Sequence, residues 1–142
     1  MMTPEMISKL RQSLILHEGY RKYPYTDSTG KMTVGIGYNI TDRGMDDGWI
    51  NTQYQKDVAY FYNQLAEFPW FFNLNVDRQI VLIDMSFMGW KNFLEFKGML
   101  EALANEDFKL ASEEMLNSKW AEETKSRATT LAHAMLTGIY NL

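Results

Sequence analysis

The sequence predicts an α+β fold, predominantly α, and two observations carry that expectation. Apolar residues recur at helical spacing along most of the chain, while a single stretch, residues 23–37, alternates with period two around turn chemistry. At 142 residues the chain suits one domain with one sizeable core. That domain is read as residues 1–142, with a small hairpin lobe over about 19–50 and a helical part formed by 1–18 and 51–142.

Taken in order, Thr3-Pro4-Glu5 supplies an N-cap, a proline at the first helical position and an acid suited to the positive end of a helix dipole. Ile7, Leu10 and Leu14 then share one helical face until Gly19, which puts Glu18 at the C-terminal end of the first helix. Tyr23, Tyr25 and Asp27 alternate with Pro24 and Thr26, Asp27-Ser28-Thr29-Gly30 is turn chemistry, and residues 31–37 alternate again, so a hairpin is expected. On its second strand Met32, Val34 and Ile36 share one face. Thr33, Gly35 and Gly37 share the other, which is small enough to let another group approach the backbone.

Residues 38–50 read as a loop, with Asn51 or Thr52 capping the next helix. Tyr54, Val58, Phe61, Leu65 and Phe68 then form an amphipathic stripe that Pro69 stops. Asn75 or Asp77 opens a strongly apolar segment over residues 80–88, ended by Gly89, which reads as a central buried helix. Shorter helices are expected over 96–103, over 107 to about 120 with Phe108, Ala111 and Met115 inward, and over 124–136 with Gly138 as C-cap.

Composition excludes several function classes. A net charge of −4 argues against a nucleic-acid binder, whose affinity comes largely from Lys and Arg on phosphates. Neither half is basic: residues 1–68 carry seven Lys/Arg against eight Asp/Glu, and 69–142 carry seven against ten. There are no cysteines, and His17 and His133 stand far apart, so neither a disulfide framework nor a zinc site is expected. Gly35-Ile36-Gly37 lacks the third glycine and following helix of a dinucleotide motif, so no cofactor is expected. Polar residues break up the first sixteen positions and no membrane-length apolar run follows. The expectation is a monomer made in the cytoplasm, not inserted in a membrane, and exported only if another factor carries it.

Glu18 and Asp27 are two carboxylates, one ending a helix and one on the hairpin that follows it. Such a pair suits glycosidic cleavage, one group protonating the leaving oxygen and the other activating water or stabilising the developing cation. On spacing alone, two solvated surface acids remain the commoner reading.

Glu18-Gly19-Tyr20-Arg21, Tyr25-Thr26-Asp27, Gly30 and Thr33-Val34-Gly35-Ile36-Gly37-Tyr38 together resemble the signature of the phage T4-type lysozymes (endolysins, muramidases), glycoside hydrolase family 24. Ile83-Asp84-Met85-Ser86-Phe87-Met88-Gly89 is similar to that family's central helix, Ser118-Lys119-Trp120 and Arg127 to its C-terminal helices, and Thr137-Gly138 to its closing motif. The resemblance implies a lysozyme-like fold in which a hairpin lobe and a helical lobe flank a saccharide cleft. It implies Glu18 as general acid, Asp27 positioning or activating the attacking water, Thr33 assisting, Arg127 against Glu18, and Gly37 and Phe87 along the cleft. The implied activity is inverting hydrolysis of the β-1,4 bond between N-acetylmuramic acid and N-acetylglucosamine in peptidoglycan, in phage-type host lysis. A lytic transglycosylase acting on the same bond and an inactive wall-binding or tail module are the alternatives.

Overall fold

A computed structural model describes residues 1–142, and its architecture is the expected α+β, predominantly α, with one small three-stranded antiparallel sheet. The chain forms two compact units, Met1–Gln53 and Tyr54–Leu142.

In the first unit, α1 (Pro4–Glu18) begins as the sequence predicts, with the Thr3 hydroxyl accepting from the Met6 N–H and Pro4 at the first position. It ends at Gly19, whose φ of 84° a side chain would disfavour. Strand β1 (Arg21–Thr26) pairs with β2 (Met32–Gly35), with Tyr25 opposite Thr33, Thr26 opposite Met32 and an irregularity between Arg21 and Tyr25. A third strand, β3 (Tyr38–Asn39), adds to the other edge of β2, with Thr33 opposite Asn39 and Val34 opposite Tyr38.

The expected loop over 38–50 is therefore mostly structured. Asn39 caps a single helical turn, α2 (Ile40–Arg43), and Asp46 accepts from the Trp49 N–H at the start of α3 (Asp47–Leu65). The helix begins five or six residues before the caps Asn51 and Thr52 suggest, because Asp46 is itself a strong N-cap. Of its expected stripe only Leu65 is buried, Val58 and Phe61 are half-buried, Tyr54 is exposed and Phe68 lies past the helix, which stops at Leu65, before Pro69.

The second unit holds every fully buried apolar side chain. After a 3-10 turn (Phe71–Asn73), Asn75 caps α4 (Val76–Ser86), the expected central helix, which buries Val81, Leu82, Met85 and Ser86. It is followed by α5 (Trp90–Leu94), α6 (Lys97–Ala104), α7 (Phe108–Leu116), α8 (Lys119–Thr124) and α9 (Ser126–Thr137). The helix expected over 107–120 is two helices, since Ser118 turns its hydroxyl to the Ala121 N–H and caps α8. Helix α7 buries Ala111 and Met115 against α9, and the Ser112 hydroxyl donates to the Ala132 carbonyl across that contact at 2.8 Å. No helix is long and apolar enough to cross a membrane.

Candidate active site

Four of the sequence candidates, Glu18, Asp27, Thr33 and Gly37, lie in the first unit, on α1 and the sheet. The reversal after Thr26 is organised by the Asp27 carboxylate. Its Oδ1 accepts from the Thr29 N–H at 2.8 Å, the Thr29 hydroxyl at 2.7 Å and the Lys31 N–H at 2.9 Å. The main chain closes the same turn, the Asp27 N–H donating to the Lys31 carbonyl and the Gly30 N–H to the Asp27 carbonyl. All three carboxylate bonds fall on Oδ1, which leaves Oδ2 for another partner.

These bonds hold the Asp27 carboxyl below the ordinary aspartate value of 3.8. The Thr29 hydroxyl contributes most, then the Lys31 N–H. Partial desolvation opposes them, and the Thr29 N–H and the Lys31 charge add smaller pulls in the same direction. Asp27 is accordingly an anion at neutral pH and a weak base.

Thr33 is the one buried side chain of this unit, 5% exposed on the central strand, and its hydroxyl faces the Lys31 carbonyl at 3.4 Å. Residues directly opposite in an antiparallel pair share a face, so Tyr25, Thr33 and Asn39 line one side of the sheet. Asp27 lies in the turn just past β1, two positions beyond Tyr25.

Glu18 is exposed and rests its side chain on the backbone of Gly37: a Cβ built at Gly37 would lie 2.9 Å from Glu18 Cγ and Oε2 and 3.0 Å from Cδ. Gly37, which the sequence puts along a substrate cleft, thus lies beside the Glu18 side chain. Around this seat the second half of the unit is braced by short polar contacts. Asp42 accepts from Lys31 Nζ at 2.8 Å and from Asn39 Nδ2 at 2.9 Å, and the Thr41 hydroxyl accepts from the Met32 N–H at 2.7 Å. The Tyr38 hydroxyl donates to the Gly44 carbonyl, while its ring meets Trp49 and lies 4.4 Å from the Arg43 guanidinium carbon.

The other two candidates, Phe87 and Arg127, lie in the second unit and border one open groove of about 500 Å³ with Tyr54, Val58 and Ile80. Phe87 is exposed and its ring meets Phe61 at 5.0 Å. Arg127 donates from Nε and Nη2 to Asp84 Oδ1 at 3.0 and 2.7 Å, and from Nη2 to the Asp84 carbonyl. The partner of Arg127 in its own unit is thus Asp84, a residue that the sequence places in the central helix without assigning it a charge partner. A larger groove, about 760 Å³, is bordered by Asn92, Phe96, Glu114, Lys119, Trp120 and Arg127. Nothing in the spacing of these residues marks it, because they come from five separate segments. No cluster of three or more His, Asp or Glu side chains is arranged to hold a metal ion.

No protein-family model matches the chain. Over 151 aligned positions it is 28% identical to the pre-baseplate central spike protein Gp5 of Enterobacteria phage T4, a match that spans 85% of this chain and 26% of Gp5. The chain is thus similar to a phage protein, over about a quarter of that relative's length. This finding corrects the family reading. Assignment to the phage T4-type lysozymes rested on the motif between Glu18 and Tyr38 and on further matches at residues 83–89, 118–120, 127 and 137–138, yet no family model matches and the relative found is a spike protein. A motif of about twenty positions constrains a local arrangement of helix end, turn and strand, and does not by itself define a family.

Proposed function

We propose that the chain hydrolyses a glycosidic bond of peptidoglycan, between N-acetylmuramic acid and N-acetylglucosamine, using Glu18 as the acid and Asp27 as its partner. The observation that carries this reading is the division of labour at Asp27, where Oδ1 is consumed by the turn and Oδ2 is left open on an ionised group. Similarity to a phage spike protein favours a polymer that a phage particle meets, the bacterial wall, over other glycans.

In the proposed reaction Glu18 gives its proton to the glycosidic oxygen as the bond from C1 breaks, and the bonding pair stays on that oxygen. The negative charge of Asp27 opposes the positive charge growing at C1 and the ring oxygen. Water oriented by Oδ2 adds to C1 from the opposite face and passes its proton to Oδ2, leaving a hemiacetal of inverted configuration. Because Asp27 is a weak base, that proton moves late, and orientation with electrostatic stabilisation forms the larger part of its contribution. Thr33, on the central strand, is assigned a supporting role toward that water. Phe87 and Arg127 are assigned to glycan binding through the groove they border. Glycan strands are the proposed partner, and the proposed setting is a phage particle acting on the wall.

The match to a spike protein also favours a second reading, a structural spike module without activity. Digestion of purified peptidoglycan, with the new ends identified by mass spectrometry, separates the two. Reducing muramic ends, lost by a factor of about 10² to 10⁴ in a folded Glu18→Gln variant, support hydrolysis. Anhydro-muramic ends overturn it in favour of a transglycosylase, and absence of new ends favours the structural module.

A further inference from the structure

Two glycines close together on the sheet separate two reasons for lacking a side chain. Gly35, the last residue of β2, has φ +68°, and Gly37, just before β3, has φ +67°. Both occupy the left-handed region that favours glycine. Their surroundings differ: a Cβ at Gly35 would meet nothing within 4 Å, while one at Gly37 would lie 2.9 Å from Glu18 Cγ and Oε2. Backbone conformation therefore accounts for the glycine at 35 and only half accounts for the one at 37.

We propose that Gly37 is a positioning residue for Glu18, its bare α-carbon forming the seat that fixes the acid's carboxyl. The inference rests on the hydrolase reading above. The seat is itself held firmly, because Val34 pairs with Tyr38 across the turn and the Tyr38 hydroxyl is tied to the Gly44 carbonyl. Glu18 Cγ, Cδ and Oε2 occupy the space that a side chain at position 37 would take, so the bare α-carbon is what lets the exposed carboxyl at this helix end stand where it does.

A methyl group at Gly37 must push those atoms from 2.9 Å to ordinary contact at 3.4 Å or beyond. The resulting displacement of about 0.5 Å or more reaches the tolerance within which a catalytic group works, and a misplacement of about 1 Å lowers rate about 10²-fold.

The test compares two substrates of the wild-type chain: a peptidoglycan oligosaccharide, whose sugar leaving group needs a proton, and the same glycosyl unit carrying a nitrophenyl leaving group, which departs without one. Gly37→Ala should lower kcat on the oligosaccharide by about 10- to 10²-fold with KM within about twofold, and lower it far less on the nitrophenyl substrate. Glu18→Gln should show the same selectivity. Gly35→Ala carries the same backbone strain and should lose on both substrates alike. Should Gly37→Ala fail to fold, Gly37→Asn serves, since asparagine tolerates positive φ yet still brings the Cβ. Equal loss on both substrates in the Gly37 variants overturns the positioning role, as does selective loss in Gly35→Ala. A wild type inert on both substrates overturns the hydrolase reading and this role with it, whereas an active wild type with an unaffected Gly37→Ala overturns the role alone.

Discussion

Replacing Arg78 with alanine should lower stability more than replacing any other charged residue of the second unit. Arg78 sits in the first turns of α4 and reaches the C-terminal end of α9, donating from Nε to the Met135 carbonyl at 2.8 Å and from Nη2 to the Leu136 carbonyl at 3.1 Å. Its guanidinium carbon lies 3.6 Å from the centre of the Phe108 ring, and Asn75 Nδ2 adds a bond to the Gly138 carbonyl at 2.8 Å. The cation thus faces carbonyls that an α-helix leaves unpaired.

Burial lowers the Arg78 pKa, but a guanidinium remains charged at neutral pH. The partly buried bond to Met135 is worth about 1.5–3 kcal/mol as a charged hydrogen bond. The exposed bond to Leu136 and the ring contact contribute about 0.5–1 kcal/mol each. Allowing for overlap, the loss is about 3 kcal/mol, or a fall in Tm of about 10 °C for a chain of this size. Thermal and urea unfolding followed by circular dichroism measure it directly. Arg78→Lys should recover less than half, because an ammonium cannot reproduce the fork. A fall below about 3 °C for the alanine variant, or a lysine variant as stable as the wild type, would refute the capping role.

Two further outcomes are expected. Thr29→Val removes the largest contribution to the lowered Asp27 pKa, so the acid limb of the activity profile should move to higher pH. Because the folded value lies below the unfolded one, Asp27 stabilises the fold above the ordinary aspartate value, and that contribution is lost as pH falls through the lowered value. Thr29→Val should therefore be less stable than wild type at neutral pH, by a margin that shrinks as pH falls below the ordinary aspartate value; an unmoved acid limb would rule out the role of this hydroxyl. The first unit carries six basic and six acidic side chains and the second eight and twelve, so no broad positive field surrounds the candidate carboxylates. Activity on purified Gram-negative sacculi should accordingly stay level or rise between low and moderate salt, and a steep fall would reveal a local cationic patch.

The helices with strong boundary chemistry were legible: Thr3-Pro4, Asn75 and Gly138 cap the ends they suggest. Missed were elements too short to show a period. Strand β3 is two residues long and α2 a single turn, and both depend on Asn39 and Asp42 side chains bonding to neighbours. The break at Ser118 was hidden because the apolar spacing runs on either side of it, and only the hydroxyl cap reveals it. Within the candidate site, the sequence indicated the two carboxylates and Thr33 but not the contact between Gly37 and Glu18. That contact joins α1 to the turn before β3, and no local pattern encodes it. The Asp84–Arg127 pair, spanning α4 and α9, escaped for the same reason.

Asp27 shows how a unit with little buried apolar surface can still hold polar groups in place. In most domains side-chain position is set by dense packing, but here every fully buried apolar side chain belongs to the other unit. The first unit uses directional bonds instead: one oxygen of Asp27 closes a turn, Asp42 ties Lys31 to Asn39, and Thr41 takes the Met32 N–H. Each bond is individually modest in water. Together they constrain the short segment from Asp27 to Gly44 at many points, so that loss of one bond shifts a neighbour that shares its acceptor. Asp27 is the extreme case, since the bonds that build the turn are the same bonds that keep its carboxylate charged. A change that loosened this turn would at once move Oδ2 and raise the pKa of the group that bears it, which couples the shape of the hairpin to the chemistry proposed for it.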